Sequence, residues 1–164
     1  MFIFSVQKLL LNCSNKETFE EMFENELDVN LEEIFASNNS GVILAIGQTC
    51  KKLGAKQAHF LVALMKTLKC FEENHQNKFL LNLSKMAPTN SDPENSKKIN
   101  LHGTLLVQEI LHFNKPIKLV NSLLNTDAEK LSNLLSDPRG CHITDAFMSR
   151  LVFQSLNIIL DIGT

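Results

Sequence analysis

The sequence predicts an all-α fold, a superhelix built by stacking short helical units. Three observations carry that expectation. A helix start opened by glycine recurs at Gly41-Val42-Ile43-Leu44-Ala45-Ile46, at Gly103-Thr104-Leu105-Leu106-Val107-Gln108 and at Gly140-Cys141-His142-Ile143-Thr144-Asp145. The steps between them are 62 residues (41 to 103) and 37 residues (103 to 140), the longer one carrying an insertion. Between these starts, apolar residues keep the i, i+3, i+4, i+7 spacing of helices, and no stretch alternates as a strand would. A period of just under forty residues is the mark of a solenoid in which each unit packs only on its neighbours.

A fourth copy lies at the N-terminus. Ser5-Val6-Gln7-Lys8-Leu9-Leu10 aligns with Leu106-Val107-Gln108-Glu109-Ile110-Leu111, so the glycine's place falls on Phe2, 39 residues before Gly41. The chain starts inside a repeat and is expected to be a fragment of a longer array, because an array cut through a unit leaves an apolar end uncovered.

The elements follow in order. Ser14-Asn15-Lys16-Glu17 reads as a capping box, Ser14 bonding forward and Glu17 reaching back, before a helix with Phe19, Met22, Phe23 and Leu27 at core spacing. A second helix covers Leu31 to Ala36. Asn38-Asn39-Ser40-Gly41 turns into a helix over Val42 to Leu53, which Gly54 closes. Phe60, Leu61, Leu64, Met65, Leu68 and Phe71 make an amphipathic core stripe. Residues 85–98, polar and with two prolines, form a disordered insertion between repeats; its Lys97-Lys98 pair either touches phosphate or is simply solvated. Leu101 to Phe113 is a helix, Lys115-Pro116 opens the next, and Thr126-Asp127-Ala128-Glu129 is a second capping box before a helix through Leu135. Asp137-Pro138 then starts the last helix, since proline in the first turn loses no needed donor and Asp accepts from orphan amides. In that helix Ile143, Ala146, Phe147, Arg150 and Leu151 share one side, and Cys141, His142 and Asp145 the other.

Charge and composition narrow the function. The net charge of −2 lacks the balance of a strongly basic nucleic-acid binder. Residues 17–33 carry eight acidic side chains and no basic one, while the rest of the chain holds 16 basic against 10 acidic. That acidic run is either a solvated face or a partner-binding surface. The cysteines Cys13, Cys50, Cys70 and Cys141 lie far apart without zinc-module spacing, which fits reduced thiols and no metal. His59, His75, His102, His112 and His142 form no metal or nucleophile constellation, and no glycine-rich phosphate cradle occurs. No cofactor, small-molecule substrate or enzymatic chemistry is expected. Phe2-Ile3-Phe4 lacks the basic flank of a signal peptide, and no apolar run approaches the ~20 residues of a membrane span.

The glycine-started helices resemble pumilio-type (PUF) RNA-binding repeats. Three blocks, Ser40 to Ala45 with Cys50-Lys51, Leu101 to Leu111 with Lys115-Pro116-Ile117, and Asp137 to Phe147, resemble the nucleolar protein nine family of pumilio-like small-subunit ribosome assembly factors. The resemblance covers most of residues 1–149. It implies a right-handed superhelix divided into 1–40 (the end of a truncated repeat and the start of the next), 41–84, the insertion 85–98, 99–139, and 140–164, the last repeat helix with an atypical tail. It also implies that side chains one, two and five places after each glycine face RNA. The base-edge pairs are then Ile3 with Gln7, Val42 with Ile46, Thr104 with Gln108, and Cys141 with Asp145, and the stacking residues are Phe4, Ile43, Leu105 and His142. Phe4, Gln7, Thr104, Leu105, Gln108, Cys141, His142 and Asp145 are the candidate RNA contacts; a base needs edge donors or acceptors and a flat partner, and Leu105 is carried by its position alone. Val42, Ile43 and Ile46 cannot hydrogen-bond, which favours recognition by shape and backbone over a code of one base per repeat.

The expected function is RNA binding without catalysis. The resemblance implies the nucleolus, the small-subunit rRNA precursor and pre-ribosomal proteins as partners, and a part in 18S rRNA maturation. A cytoplasmic pumilio-type regulator of mRNA 3′UTRs and a protein-binding scaffold of the HEAT or armadillo kind are the alternatives, the latter favoured by the low charge and by apolar Val42, Ile43 and Leu105.

Overall fold

The computed structural model describes the backbone of residues 2–89 and 98–162 and the side chains of 5–89 and 98–154. All regular structure among the described residues is helical, as the periodicity predicts. Ten α-helices follow in order: α1 Phe2–Asn12, α2 Lys16–Met22, α3 Leu31–Ala36, α4 Ser40–Leu53, α5 Gln57–Thr67, α6 Phe79–Lys85, α7 Leu101–Leu111, α8 Ile117–Leu124, α9 Ala128–Ser136 and α10 His142–Ile162. Two of them connect through tighter or wider helical turns, a π turn at Phe23–Leu27 after α2 and a 3₁₀ segment at Glu73–Lys78 before α6.

Helices α1, α4, α7 and α10 pack side by side as a front row, each against the next. Helices α3, α5, α6, α8 and α9 form a second layer behind it, with α3 and α5 against α4, α6 and α8 against α7, and α9 against α10. The core lies between the layers, where Phe19, Phe23, Phe60, Phe79 and Phe113 are fully buried with the leucines around them. Four buried hydroxyls sit in this core, and each is bonded: Thr49 donates to the Leu10 carbonyl, Ser84 to Leu80, Thr104 to Leu101 and Ser122 to Asn77.

Glycine at the front-row helix starts serves close approach. A Cβ on Gly103 would lie 2.3 Å from the Leu83 carbonyl oxygen, and one on Gly140 would lie 2.0 Å from that of Leu134. Helices α7 and α10 thus begin against the carbonyl ends of the back helices before them, α6 and α9. The 20-residue and 6-residue separations of these two pairs differ by the 14 residues of the insertion expected at 85–98.

Several local expectations are corrected. The N-cap of α2 is Asn15, whose side chain accepts from the Thr18 amide at 2.9 Å. That of α9 is Asp127, accepting from Lys130 N at 3.2 Å. In both boxes the cap is one residue later than predicted, because Asn and Asp compete well with Ser and Thr for the cap position. Asp137 does hold the Pro138 turn, accepting from the Arg139 amide at 2.8 Å, but regular α10 begins only at His142. Phe71 leaves the α5 stripe and is 49% exposed. Lys69 turns left-handed (φ 53°), Cys70 N bonds Met65 O, and the Schellman turn swings Phe71 out under the Lys66 ammonium, 5.8 Å from its ring centre. Leu151, expected on the packed side of α10, is 40% exposed. Within 85–98, Lys85 belongs to α6 and Met86 and Ala87 close it in a second Schellman turn, while Lys97 and the rest of 90–97 lie outside the described residues.

Candidate nucleic-acid interface

The front row presents the predicted positions unevenly. In α4, Val42, Ile43 and Ile46 are 4%, 1% and 0% exposed, so these three positions offer no apolar reading surface. In α7, Thr104 is fully buried and its hydroxyl is spent on the Leu101 carbonyl at 2.9 Å. The expectation that Thr104 offers its hydroxyl to a base edge is therefore corrected: the side chain is buried and its hydroxyl already donates within α7. Leu105 is half-buried against the core. Gln108 is half-buried, with its amide Nε2 donating to Thr104 O at 3.3 Å and its oxygen left for another partner.

At the start of α10 and in the turn before it, Cys141, His142 and Asp145 are all exposed. Cys141 Sγ sits 3.4 Å from the Pro138 carbonyl, and His142 Nδ1 lies 3.4 Å from Asp145 Oδ2, one turn along the same face. Gln7 on α1 is half-buried, and its amide nitrogen lies 2.5 Å from where a Cβ on Gly41 would stand. The side chains of Ile3 and Phe4 lie outside the described residues.

Three predicted residues converge. Gln108, His142 and Asp145 line one groove of about 350 Å³ between α7 and α10, together with Lys51, Glu109, His112, Ala146 and Ser149. Lys51 reaches across from α4 to pair with Glu109, which also accepts from Gln48 Nε2 at 3.4 Å. These additions were missed, although the spacing holds a signal for two of them: His112 and Ser149 lie nine places after Gly103 and Gly140, one helical turn past Gln108 and Asp145. Behind the groove the row is stitched by polar contacts between neighbouring helices. Ser40 Oγ and His102 Nδ1 are 2.8 Å apart, Lys52 donates to the Leu11 carbonyl at 2.7 Å, and the Arg150 guanidinium bonds the carbonyls of Leu111, Phe113 and Asn114 at the end of α7. Burial pulls the Arg150 pKa below its ordinary value.

Such a groove is suited to holding a planar or edge-polar group between an amide, an imidazole and a carboxylate. Among the described residues no three His, Cys, Asp or Glu side chains gather to hold a metal ion, and no helix is long and apolar enough to cross a membrane. All four cysteines are free; burial pushes the Cys70 thiol up to about 12 and that of Cys50 higher still, so both are poor nucleophiles.

A row of helices, two of them started by close-packed glycines, backed by a second helical layer and presenting polar residues one turn apart, defines an α-helical repeat array of the solenoid kind. A family model described as the NOP9-like PUF repeat domain matches residues 3–156, and the chain belongs to that family. The chain is similar to nucleolar protein 9 of Mus musculus, 26% identical, and of Homo sapiens, 27% identical, in each case over 89% of this chain. It spans about a quarter of the length of these relatives, 26%. No solved structure matches.

Proposed function

We propose that this chain binds RNA through the α7–α10 groove and does so as a binding module without catalysis. The observation that carries the reading is the convergence of Gln108, His142 and Asp145 in one groove of a PUF-type array. The His142 ring stacks on a base face, and Gln108 and Asp145 meet its edge. The chain works in the nucleolus, a placement that the names of its relatives support, and there on the small-subunit rRNA precursor, among pre-ribosomal proteins, in the steps that yield 18S rRNA. Burial of Val42 and Ile43 takes away two of the three apolar residues that favour a HEAT- or armadillo-like scaffold, while Leu105 is half-buried.

An in-cell RNA crosslinking map tests the assignment. Reads concentrated on the small-subunit precursor, with crosslinks at Gln108 and His142, are expected. Reads on messenger 3′UTRs would move the chain to mRNA regulation, and no enrichment would end the RNA reading. In a binding assay, Gln108→Ala with His142→Ala should weaken RNA affinity by about tenfold or more, since one stacked base is worth about 1–3 kcal/mol. Unaltered affinity with intact helicity would count against this groove.

A further inference from the structure

The α7–α10 groove holds Lys51 against the carboxylates of Glu109 and Asp145. It is therefore poorly charged to neutralise phosphate, yet phosphate neutralisation supplies much of the affinity of any RNA-binding surface. Base contacts specify and phosphate contacts position, so the backbone of a bound strand needs cations elsewhere.

They gather on the other side of the helix starts. A groove of about 510 Å³ is lined by Lys85 at the end of α6, Lys98 just before α7, Lys130 in the first turn of α9 and Arg139 in the turn before α10. Its one carboxylate, Asp137, is engaged by the Arg139 amide at 2.8 Å, so four cations face one acid in a chain whose net charge is −2. Lys85, Lys98 and Lys130 have no ion-pair partner among the described residues. Lys130 also sits in the first turn of α9, where the helix dipole disfavours a cation, so helix stability does not account for its place. Arg139 is already oriented: its Nη1 donates to the Ile99 carbonyl at 2.6 Å, which fixes the side chain along the groove and leaves its remaining N–H donors for an anion. A second groove of about 470 Å³ shares Lys85, Lys98 and Ile99 and extends toward Asn38 and Asn100. The two grooves adjoin through these shared residues, and Leu81, Ile99 and Leu134 add apolar lining to the first.

We infer that this track, Lys85-Lys98-Lys130-Arg139, holds the phosphodiester backbone of an RNA strand whose bases are met at the α7–α10 groove. The inference rests on the RNA reading above. Four cations lining one groove, continued by a second, suit the phosphates of a strand, and the acidic alternative, a carboxylate-rich protein segment, becomes an outcome of the test.

The test measures RNA affinity of the full chain as a function of salt, using a fragment of small-subunit precursor RNA and an unrelated RNA of equal length. The variant is Lys85→Gln, Lys98→Gln and Lys130→Gln together, with Arg139 left in place because it ties two segments. Each phosphate contact contributes about 0.7 to the slope of log affinity against log salt for single strands, so the slope should fall by about 2, with both RNAs weakened alike. His142→Ala should weaken binding without altering the slope. Because Lys85 is half-buried at a helix end, Lys98→Gln with Lys130→Gln serves as the second variant, with an expected fall of about 1.4 and helicity checked by circular dichroism. An unaltered slope in variants that remain helical overturns the track and leaves the RNA reading standing. If the unmodified chain binds neither RNA, the RNA reading itself fails and the track with it. If a polyglutamate peptide binds the unmodified chain and not the triple variant, while RNA binding is unmoved, the track belongs to acidic protein and the inference is overturned.

Discussion

A methyl group at Gly103 would meet two backbone carbonyl oxygens, those of Leu83 at 2.3 Å and Ser84 at 2.9 Å, neither of which can swing aside as a side chain can. Gly103→Ala must therefore push α7 off α6. Overpacking of this kind costs about 1–3 kcal/mol, and a urea titration should show a loss in that range. Gly41→Ala makes a useful control, because its nearest obstacle is the end of the Gln7 side chain, which can turn away; its loss should be clearly smaller. Equal losses at the two positions would mean that the glycines matter for some reason other than backbone approach. These glycines stand out in the sequence because a repeated Gly at a helix start is conspicuous. The fate of the residue that follows is not written locally: Thr104, Val42 and Cys141 hold the same place in their repeats, yet two are buried and one is exposed. Their exposure depends on the front-row helix packed alongside, which spacing within one helix does not report.

Among the elements, the helix ends carry most of what sequence patterns left unspecified. Four helices close through left-handed residues, and apart from Gly54 these are Asn38, Lys69 and Met86. Asparagine tolerates that region; lysine and methionine do so at a cost of about 1–2 kcal/mol. Lys69→Gly should therefore raise stability, by up to about 1 kcal/mol once the extra freedom of glycine in the unfolded chain is set against the relieved strain. The denaturation midpoint should move up with an unaltered slope against denaturant, and a lower midpoint would show that the Lys69 side chain contributes contacts outweighing its strain. Such caps are hard to foresee, because only glycine and asparagine signal a left-handed turn from sequence. The π turn at Phe23–Leu27 escapes notice for a similar reason. Phe19, Phe23, Leu27 and Leu31 are all buried at intervals of four, a spacing that drifts by about 40° per step around an ordinary helix. The wider turn, closed by Asp28 N on Phe23 O at 2.9 Å, takes up part of that drift and keeps all four in the core.

At the scale of the whole molecule, stability in a row of helices is a sum of units and of the interfaces between neighbours, so a break at one interface should stay local. The α7–α10 interface offers a clean place to test this. Ile143 and Ala146 are buried there, and Arg150 lays its guanidinium on three carbonyls at the C-terminal end of α7, where the helix dipole favours a cation. On either side of that anchor, α10 shows Met148, Val152 and Phe153 more than half exposed. Arg150→Met keeps the apolar stem and removes the charged bonds, each of the kind worth about 1.5–3 kcal/mol when intact. Arg150→Lys should recover only part, since an ammonium cannot span the carbonyls as a planar guanidinium does. Hydrogen exchange followed residue by residue is the appropriate measurement, because opening free energies differ along such a row. In Arg150→Met the amides of α10 should exchange faster while those of α4, two helices away, keep their protection. If protection fell equally in α4 and α10, the row would unfold as one cooperative block, and binding at the α7–α10 groove would be coupled to the order of every helix before it.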